Sequence, residues 1–136
     1  LVDRGFPLGA QGDFLRQGFG GQNLLGFDNI ICNPPVHLAE RFIDRALLVT
    51  RRKVAMLLRW SFAEGGTGRS EKSHLRRRVL DEAPLSRVYV FANRVSMPPG
   101  DVAVAAHGGA IAFGWFVWDH AHFGPATFHR LHRAPR

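Results

Sequence analysis

The sequence has a single cysteine, Cys32, so no internal disulfide can form and a reducing compartment suits the chain. A cytoplasmic location is the expectation that follows. No apolar run approaches the roughly 20 residues needed to span a bilayer, which argues against a membrane partner. The first residues show no secretory pattern, and Leu1 in place of Met hints at coding sequence upstream. Acidic residues are also scarce: 11 Asp and Glu stand against 18 Lys and Arg, a formal charge of +7. That balance points to an anionic partner, or else to a basic surface with no partner at all. What the chain does have is apolar bulk. At 46% hydrophobic, its 136 residues can bury the core of one domain.

Residues 1–26 are rich in glycine and carry little periodicity, which predicts loops around a short strand or turn near Gly12-Asp13-Phe14-Leu15. Residues 27–32 read as a short, nearly all-apolar strand. Leu38, Ala39, Phe42, Ile43, Ala46 and Leu47 then recur at helical spacing, with Glu40, Arg41, Asp44 and Arg45 on the opposite side. Arg51-Arg52-Lys53 would close that helix at the negative end of its dipole. Residues 54–58 form a second apolar run, as expected of a strand covered on both faces. Strand, helix, strand predicts a βαβ crossover between neighbouring parallel strands. A flexible loop is expected at 63–70, a basic helix at 70–82, a third strand at 88–91 and an aromatic fourth strand at 111–118. Pro98-Pro99-Gly100-Asp101 breaks the chain between the last two. No internal repeat is present.

The segment with the most chemistry in it is Asn33-Pro34-Pro35-Val36, directly after the first apolar strand. A residue before proline is pushed into extended geometry, and each proline fixes its own φ. In the stiff loop that results, the Asn33 Oδ1 and the Pro34 carbonyl can both accept from one planar amino group. The plainer alternative is a strand-to-helix turn, for which Asn and Pro are ordinary residues.

Strand, Asn-Pro-Pro, helix and strand together resemble the middle of the S-adenosylmethionine-dependent amino-methyltransferases. In that family Asp/Asn/Ser-Pro-Pro-aromatic follows the fourth strand of a Rossmann-like sheet. Phe27-Asp28-Asn29-Ile30-Ile31-Cys32-Asn33-Pro34-Pro35 with Leu38-Ala39-Glu40-Arg41-Phe42-Ile43 looks more specifically like a bacterial or phage adenine methyltransferase. The likeness continues through residues 54–59, 87–91 and 114–119. It covers about residues 1–124, with Asn-Pro-Pro as its one sharply specific motif. The implied fold is α/β, a partial Rossmann-like fold with a mainly parallel sheet, an antiparallel last strand and the first strands missing. Residues 125–136 are expected to be an irregular basic tail, and the strand at 27–32 to have an unpaired edge.

The resemblance implies methyl transfer from S-adenosylmethionine to the exocyclic amino group of adenine in DNA. It assigns Asn33, Pro34 and Pro35 to catalysis, and Asp13, Phe14 and Asn33 to the cofactor. The family's glycine-rich cofactor turn would lie upstream of Leu1, with Leu1-Val2-Asp3-Arg4-Gly5 as the loop after its second strand. Gly18-Phe19-Gly20-Gly21 is no substitute, having no buried strand before it. Asp13-Phe14 is alternatively a turn residue followed by a core aromatic. An amine conjugated to a ring is a poor nucleophile. Two acceptors on its N–H groups would aim its lone pair at the methyl donor, so that catalysis is positioning and electrostatics.

Val36 departs from the family, which carries an aromatic ring there to stack on the extruded base, an interaction worth about 1–3 kcal/mol. Val36 can wall the pocket with Trp60 or His37 supplying the stack, or catalysis is weakened. Arg59 and Trp60 follow the second apolar strand on the same sheet edge as Asn33, and are candidate substrate contacts. Arg69, Lys72, Arg76, Arg77 and Arg78 could track a phosphate backbone, or form a solvated helix face. Cys32 lies within the strand and reads as an apolar thiol rather than a nucleophile. His120, His122, His129 and His132 have no acidic or cysteine cluster beside them, and no metal site is expected. Two other functions stay open: a non-catalytic nucleic-acid-binding protein, and methylation of another planar amine such as a protein glutamine.

Overall fold

A computed structural model describes residues 13–16, 27–93, 95 and 109–132. Among these residues five strands form one mixed sheet in the order β1-β2-β4-β3-β5. They are β1 (Phe27–Cys32), β2 (Thr50–Arg59), β3 (Leu85–Phe91), β4 (Phe113–Asp119) and β5 (Thr127–Leu131). The helices are α1 (Ala39–Val49) and α2 (Glu71–Arg77). β1 pairs parallel with β2, and α1 is the crossover between them, the βαβ unit that the apolar periods predict. β4 runs antiparallel to both β2 and β3, and the other four strands share one direction. The fold is therefore α/β with one reversed strand.

The core lies between α1 and one face of the sheet. Ala39, Ile43, Ala46 and Val49 recur every three or four residues and form the buried stripe of α1. Ala39, Ile43 and Ala46 meet Val54, Met56 and Leu58, the alternate residues of β2, together with Phe116 and Trp118 of β4. Trp118 is fully buried, and its Nε1 donates to the Val79 carbonyl at 2.6 Å, tying the sheet to the π-helical turn Arg78–Glu82 that follows α2. Gly114 of β4 is needed for a close approach: a Cβ there would lie 2.8 Å from the Tyr89 carbonyl oxygen of β3. Among the described residues no helix is long and apolar enough to cross a membrane.

Several sequence expectations need correcting. Residues 125–136 are not wholly irregular, because Thr127–Leu131 adds as β5, parallel to β3. The reversed strand is thus fourth of five rather than last. Arg51-Arg52-Lys53 do not cap α1: the chain passes from Val49 into β2 at Thr50, whose Oγ1 donates to the Ala46 carbonyl at 2.6 Å. Among the described residues β1 is at the edge of the sheet, but it is not a buried strand, since Ile31 is 75% exposed and Phe27 is also exposed. Glu40 belongs to the buried stripe and not to the polar face of α1. The loop at 63–70 is pinned, with the Glu64 carbonyl accepting from Arg76 Nη1 at 2.9 Å. Leu1-Val2-Asp3-Arg4-Gly5, Gly18-Phe19-Gly20-Gly21 and Pro98-Pro99-Gly100-Asp101 lie outside the described residues.

Asp119 ends β4 and is held below the usual carboxylate range, chiefly by the Ala121 backbone N–H and then by Lys53 and Arg87. Its Oδ1 accepts from Ala121 at 3.1 Å, and its Oδ2 lies 3.4 Å from Lys53 Nζ. A carboxylate lowered on folding stabilises the fold above its unfolded pKa of about 3.9, and that contribution is lost as pH falls through the lower folded value. Asp119→Ala should therefore lower the thermal midpoint at pH 7 and leave it unchanged at pH 2. An equal drop at both pH values would mean that charge is not the cause.

Candidate active site

The carboxyl ends of β1 and β2 open on one edge of the sheet, together with the start of antiparallel β4. β1 ends at Cys32, and the chain continues through Asn33, Pro34 and Pro35. Pro35 is extended, with φ −55° and ψ 131°, and its carbonyl accepts from Leu38 N at 2.9 Å. That bond closes the 3-10 turn Val36–Leu38, which leads straight into α1. Two fixed proline φ angles and this turn hold the segment stiffly between strand and helix. Pro34 is buried; Asn33, Pro35 and Val36 are exposed. Neither the Asn33 side chain nor the Pro34 carbonyl has a hydrogen-bond partner among the described residues.

Asn33, Pro34 and Val36 line a cavity of about 130 Å³ with Leu57, Leu58, Arg59, Ser61, Phe62 and Phe113. Arg59 and Phe113 are cross-strand partners, so the ends of β2 and β4 form one wall. Lys72 and Arg76 of α2 approach from the other side. Arg76 is the fixed element. Its Nη2 lies 2.6 Å and its Nε 3.1 Å from Glu40 Oε1, and its guanidinium stands 4.8 Å over the Phe62 ring. Glu40 is 2% exposed, and the pair joins α1 to α2 beneath the cavity. Lys72 Nζ is 3.9 Å from the same carboxylate oxygen and half exposed. Two cations and one buried carboxylate, with Arg59 at the mouth, leave the cavity net positive.

No protein-family model matches this sequence, and no curated protein matches it. The site is therefore read from its own groups.

Of the residues singled out in the sequence, Asn33, Pro34, Val36 and Arg59 come together at this cavity. Asp13 and Phe14 stand elsewhere. Asp13 opens a turn, its Oδ1 accepting from Leu15 N at 3.0 Å and its Oδ2 lying 3.2 Å from Arg16 Nε. Phe14 packs on Phe42 of α1 at 5.2 Å between centroids. Asp13 lines a separate, wider groove beside α1 and α2. Trp60 and His37 are not among the lining residues. Trp60 instead lies against Phe116 at 6.4 Å and Phe128 at 5.8 Å.

Four of the five cations in the basic run have carboxylate partners: Arg76 and, more loosely, Lys72 on Glu40, Arg78 on Asp44, and Arg77 on Glu82 at 3.8 Å. Among the described residues Arg69 is the one cation of the run without a carboxylate partner, which favours internal pairing over a phosphate track along all five. Cys32 is half-buried, and burial pushes its thiol pKa up, away from the thiolate a nucleophile requires. His122 and His129 point to local partners: a Gly124 carbonyl at 3.1 Å for the first, and Thr127 Oγ1 at 2.9 Å for the second. The sequence reading missed Phe113, Phe62 and the Glu40–Arg76 pair. Phe113 sat in an expected strand, but only the antiparallel register sets it beside Arg59.

Proposed function

We propose that the Asn33 cavity receives the exocyclic amino group of adenine in DNA and that the protein acts in its methylation from S-adenosylmethionine. The observation that carries this reading is the pair of acceptors, the Asn33 side-chain oxygen and the Pro34 carbonyl, unpartnered on a stiff loop at the lip of a small basic cavity. An exposed acceptor without a protein partner is hydrated, and a ligand's donor can take the place of that water. The amino group of adenine is a flat double donor, and holding both N–H groups concentrates its lone pair on the remaining direction. Arg59 and Lys72 supply positive charge where a flanking phosphate would run.

The cavity fits the acceptor and not the donor. At about 130 Å³ it is well under the roughly 300–1,000 Å³ of pockets that enclose a drug-sized ligand, so it takes one base edge. Of the two residues that the resemblance places beside the cofactor adenine, Asp13 borders a different groove and Phe14 packs on Phe42. S-adenosylmethionine would supply an electrophilic sulfonium methyl group. The described residues contribute the positioning of the amine, and Phe113 supplies a ring where Val36 has none. Phe62 cannot do so, being buried with Arg76 across its face.

The antiparallel β4 and the βαβ unit also agree with the partial Rossmann-like arrangement that the resemblance implies. A second reading, nucleic-acid binding without transfer, is favoured by the exposed, non-aromatic Val36 and by the lack of fit to the donor. Labelled S-adenosylmethionine and a duplex oligonucleotide separate the two. Label should enter DNA that contains adenine and should not enter the same DNA with purine, which lacks the amino group, at every adenine position. Binding of both oligonucleotides with no label in either would leave the second reading standing.

A further inference from the structure

Beside the cavity lies an aromatic surface that the methyl-transfer reading does not use. Trp60 is 36% exposed and Phe128 58% exposed, with ring centroids 5.8 Å apart and planes at 75°. Each ring keeps part of its face open to water, Phe128 more than Trp60, and an exposed aromatic pair of this kind is available to a flat apolar partner. Trp60 is anchored at the rim of the cavity. It sits between Arg59 and Ser61, which both line it, and its backbone N–H donates to the Ala112 carbonyl at 2.8 Å, next to Phe113.

Sheet register explains how Phe128 reaches this place. Met56, Phe116, Val88 and Phe128 are successive cross-strand partners on the helix-covered face, and β5 carries that row past the end of the core. The next row is Leu58, Gly114, Val90 and Arg130. Leu58 lines the cavity and Gly114 adds no side chain, so the row leads from the cavity toward Arg130.

The charge around these rings has one sign. β3 and β5 contain no Asp or Glu, and neither do residues 120–136, which carry three Arg and four His. Arg59 and Arg130 are exposed and make no ion pair among the described residues. This differs from α2 and the turn after it, where Arg76, Arg77 and Arg78 are matched by carboxylates. Aromatic faces interleaved with unpaired Arg suit unstacked bases on a phosphate chain, and a paired duplex offers them no free base face.

We propose that Trp60 and Phe128, flanked by Arg59 and Arg130, form a stacking surface for single-stranded DNA that leads to the Asn33 cavity. Its continuation into the cavity rests on the methyl-transfer reading, whereas the stacking surface can be tested without it. Thymine lacks an exocyclic amine, so a fluorescein-labelled 15-mer of deoxythymidine probes the surface and not the amine site. Anisotropy titrations with the whole chain should show that the single strand binds at least about tenfold more tightly than a duplex of equal length.

Phe128→Ala should weaken the single strand about tenfold, within the range for losing one stacking ring. Phe128 is mostly exposed, so this variant keeps the core; its thermal midpoint is measured alongside. Arg130→Gln should reduce the dependence of log affinity on log salt by about 0.7. Strand binding should also quench tryptophan fluorescence, and Trp60→Phe should remove that quenching. The proposal is overturned by any of three results: no binding, equal affinity for the duplex, or Phe128→Ala binding as the wild type does. Tighter binding to a uridine 15-mer would overturn the assignment to DNA. Binding as described with no methyl transfer would retain this surface and remove the methyl-transfer reading; transfer with no effect of Phe128→Ala would do the reverse.

Discussion

Glu40→Ala should destabilise the fold by about 3–5 kcal/mol, because it strands a guanidinium that folding has largely removed from water. Arg76 has a side-chain exposure of 22% and Glu40 of 2%, and three donors or cations converge on the one oxygen, Glu40 Oε1. Lys72 is half exposed and adds little. The cost comes from Arg76, whose Nε and Nη2 would lose their acceptor while Nη1 still holds the Glu64 carbonyl. Replacing both partners, as in Glu40→Met with Arg76→Met, should recover most of the loss, since a buried pair offsets little more than its own desolvation. Urea unfolding of the three proteins decides the matter. A Glu40→Ala variant within about 1 kcal/mol of the wild type would show that the pair is not buried. The same pair fixes Arg76 over Phe62 under the cavity, so this stability term also shapes the site.

The second large effect concerns catalysis. Asn33→Ala removes a side-chain acceptor while leaving both prolines and the backbone of the loop. Loss of one positioned hydrogen-bonding group at a reacting centre commonly lowers kcat by about 10²–10³. The Asn33 side chain is exposed and has no partner among the described residues, so its removal should leave the urea midpoint unchanged. A fall in kcat with unchanged stability and a modest change in KM is the pattern expected of a group that positions the amine.

The parts legible in the sequence were those encoded by local pattern. Residues 54–58 read as a covered strand because they are apolar at every position, and β2 is the centre of the core. Ala39, Ile43 and Ala46 gave the buried stripe of α1 by spacing alone. Asn33-Pro34-Pro35 marked the loop because proline restricts its own φ and its predecessor. The parts that were not legible depend on partners distant in sequence. Glu40 has the charge of a surface residue, and only Arg76, 36 positions on, makes it a buried one. Thr127–Leu131 alternates weakly and forms a strand because the free edge of β3 offers it a ladder. Ile31 is as apolar as Val54, yet it pairs with Ala55 on an edge strand and faces away from the core that Val54 enters. Position in the sheet decides burial there, and composition does not.

The candidate site divides along the same line. Asn33, Pro34 and Arg59 could be found from motif and strand ends, since ligands of such sheets gather at the carboxyl ends. Phe113 could not, because an antiparallel strand brings its start to that edge from more than fifty residues away. Asp13 and Phe14 were assigned by resemblance alone, and the structure sets them in a turn packed on α1.

The most direct test is single-turnover transfer of labelled methyl groups from S-adenosylmethionine to adenine-containing DNA by the wild type, Asn33→Asp and Asn33→Ala. N6-methyladenine is quantified in each product. Aspartate keeps an acceptor oxygen and alanine does not. The wild type and Asn33→Asp should both form N6-methyladenine, and Asn33→Ala should form it at least about a hundredfold more slowly. Equal rates for Asn33→Ala and the wild type, or no N6-methyladenine from any of the three, would contradict the assignment of this cavity to the adenine amine.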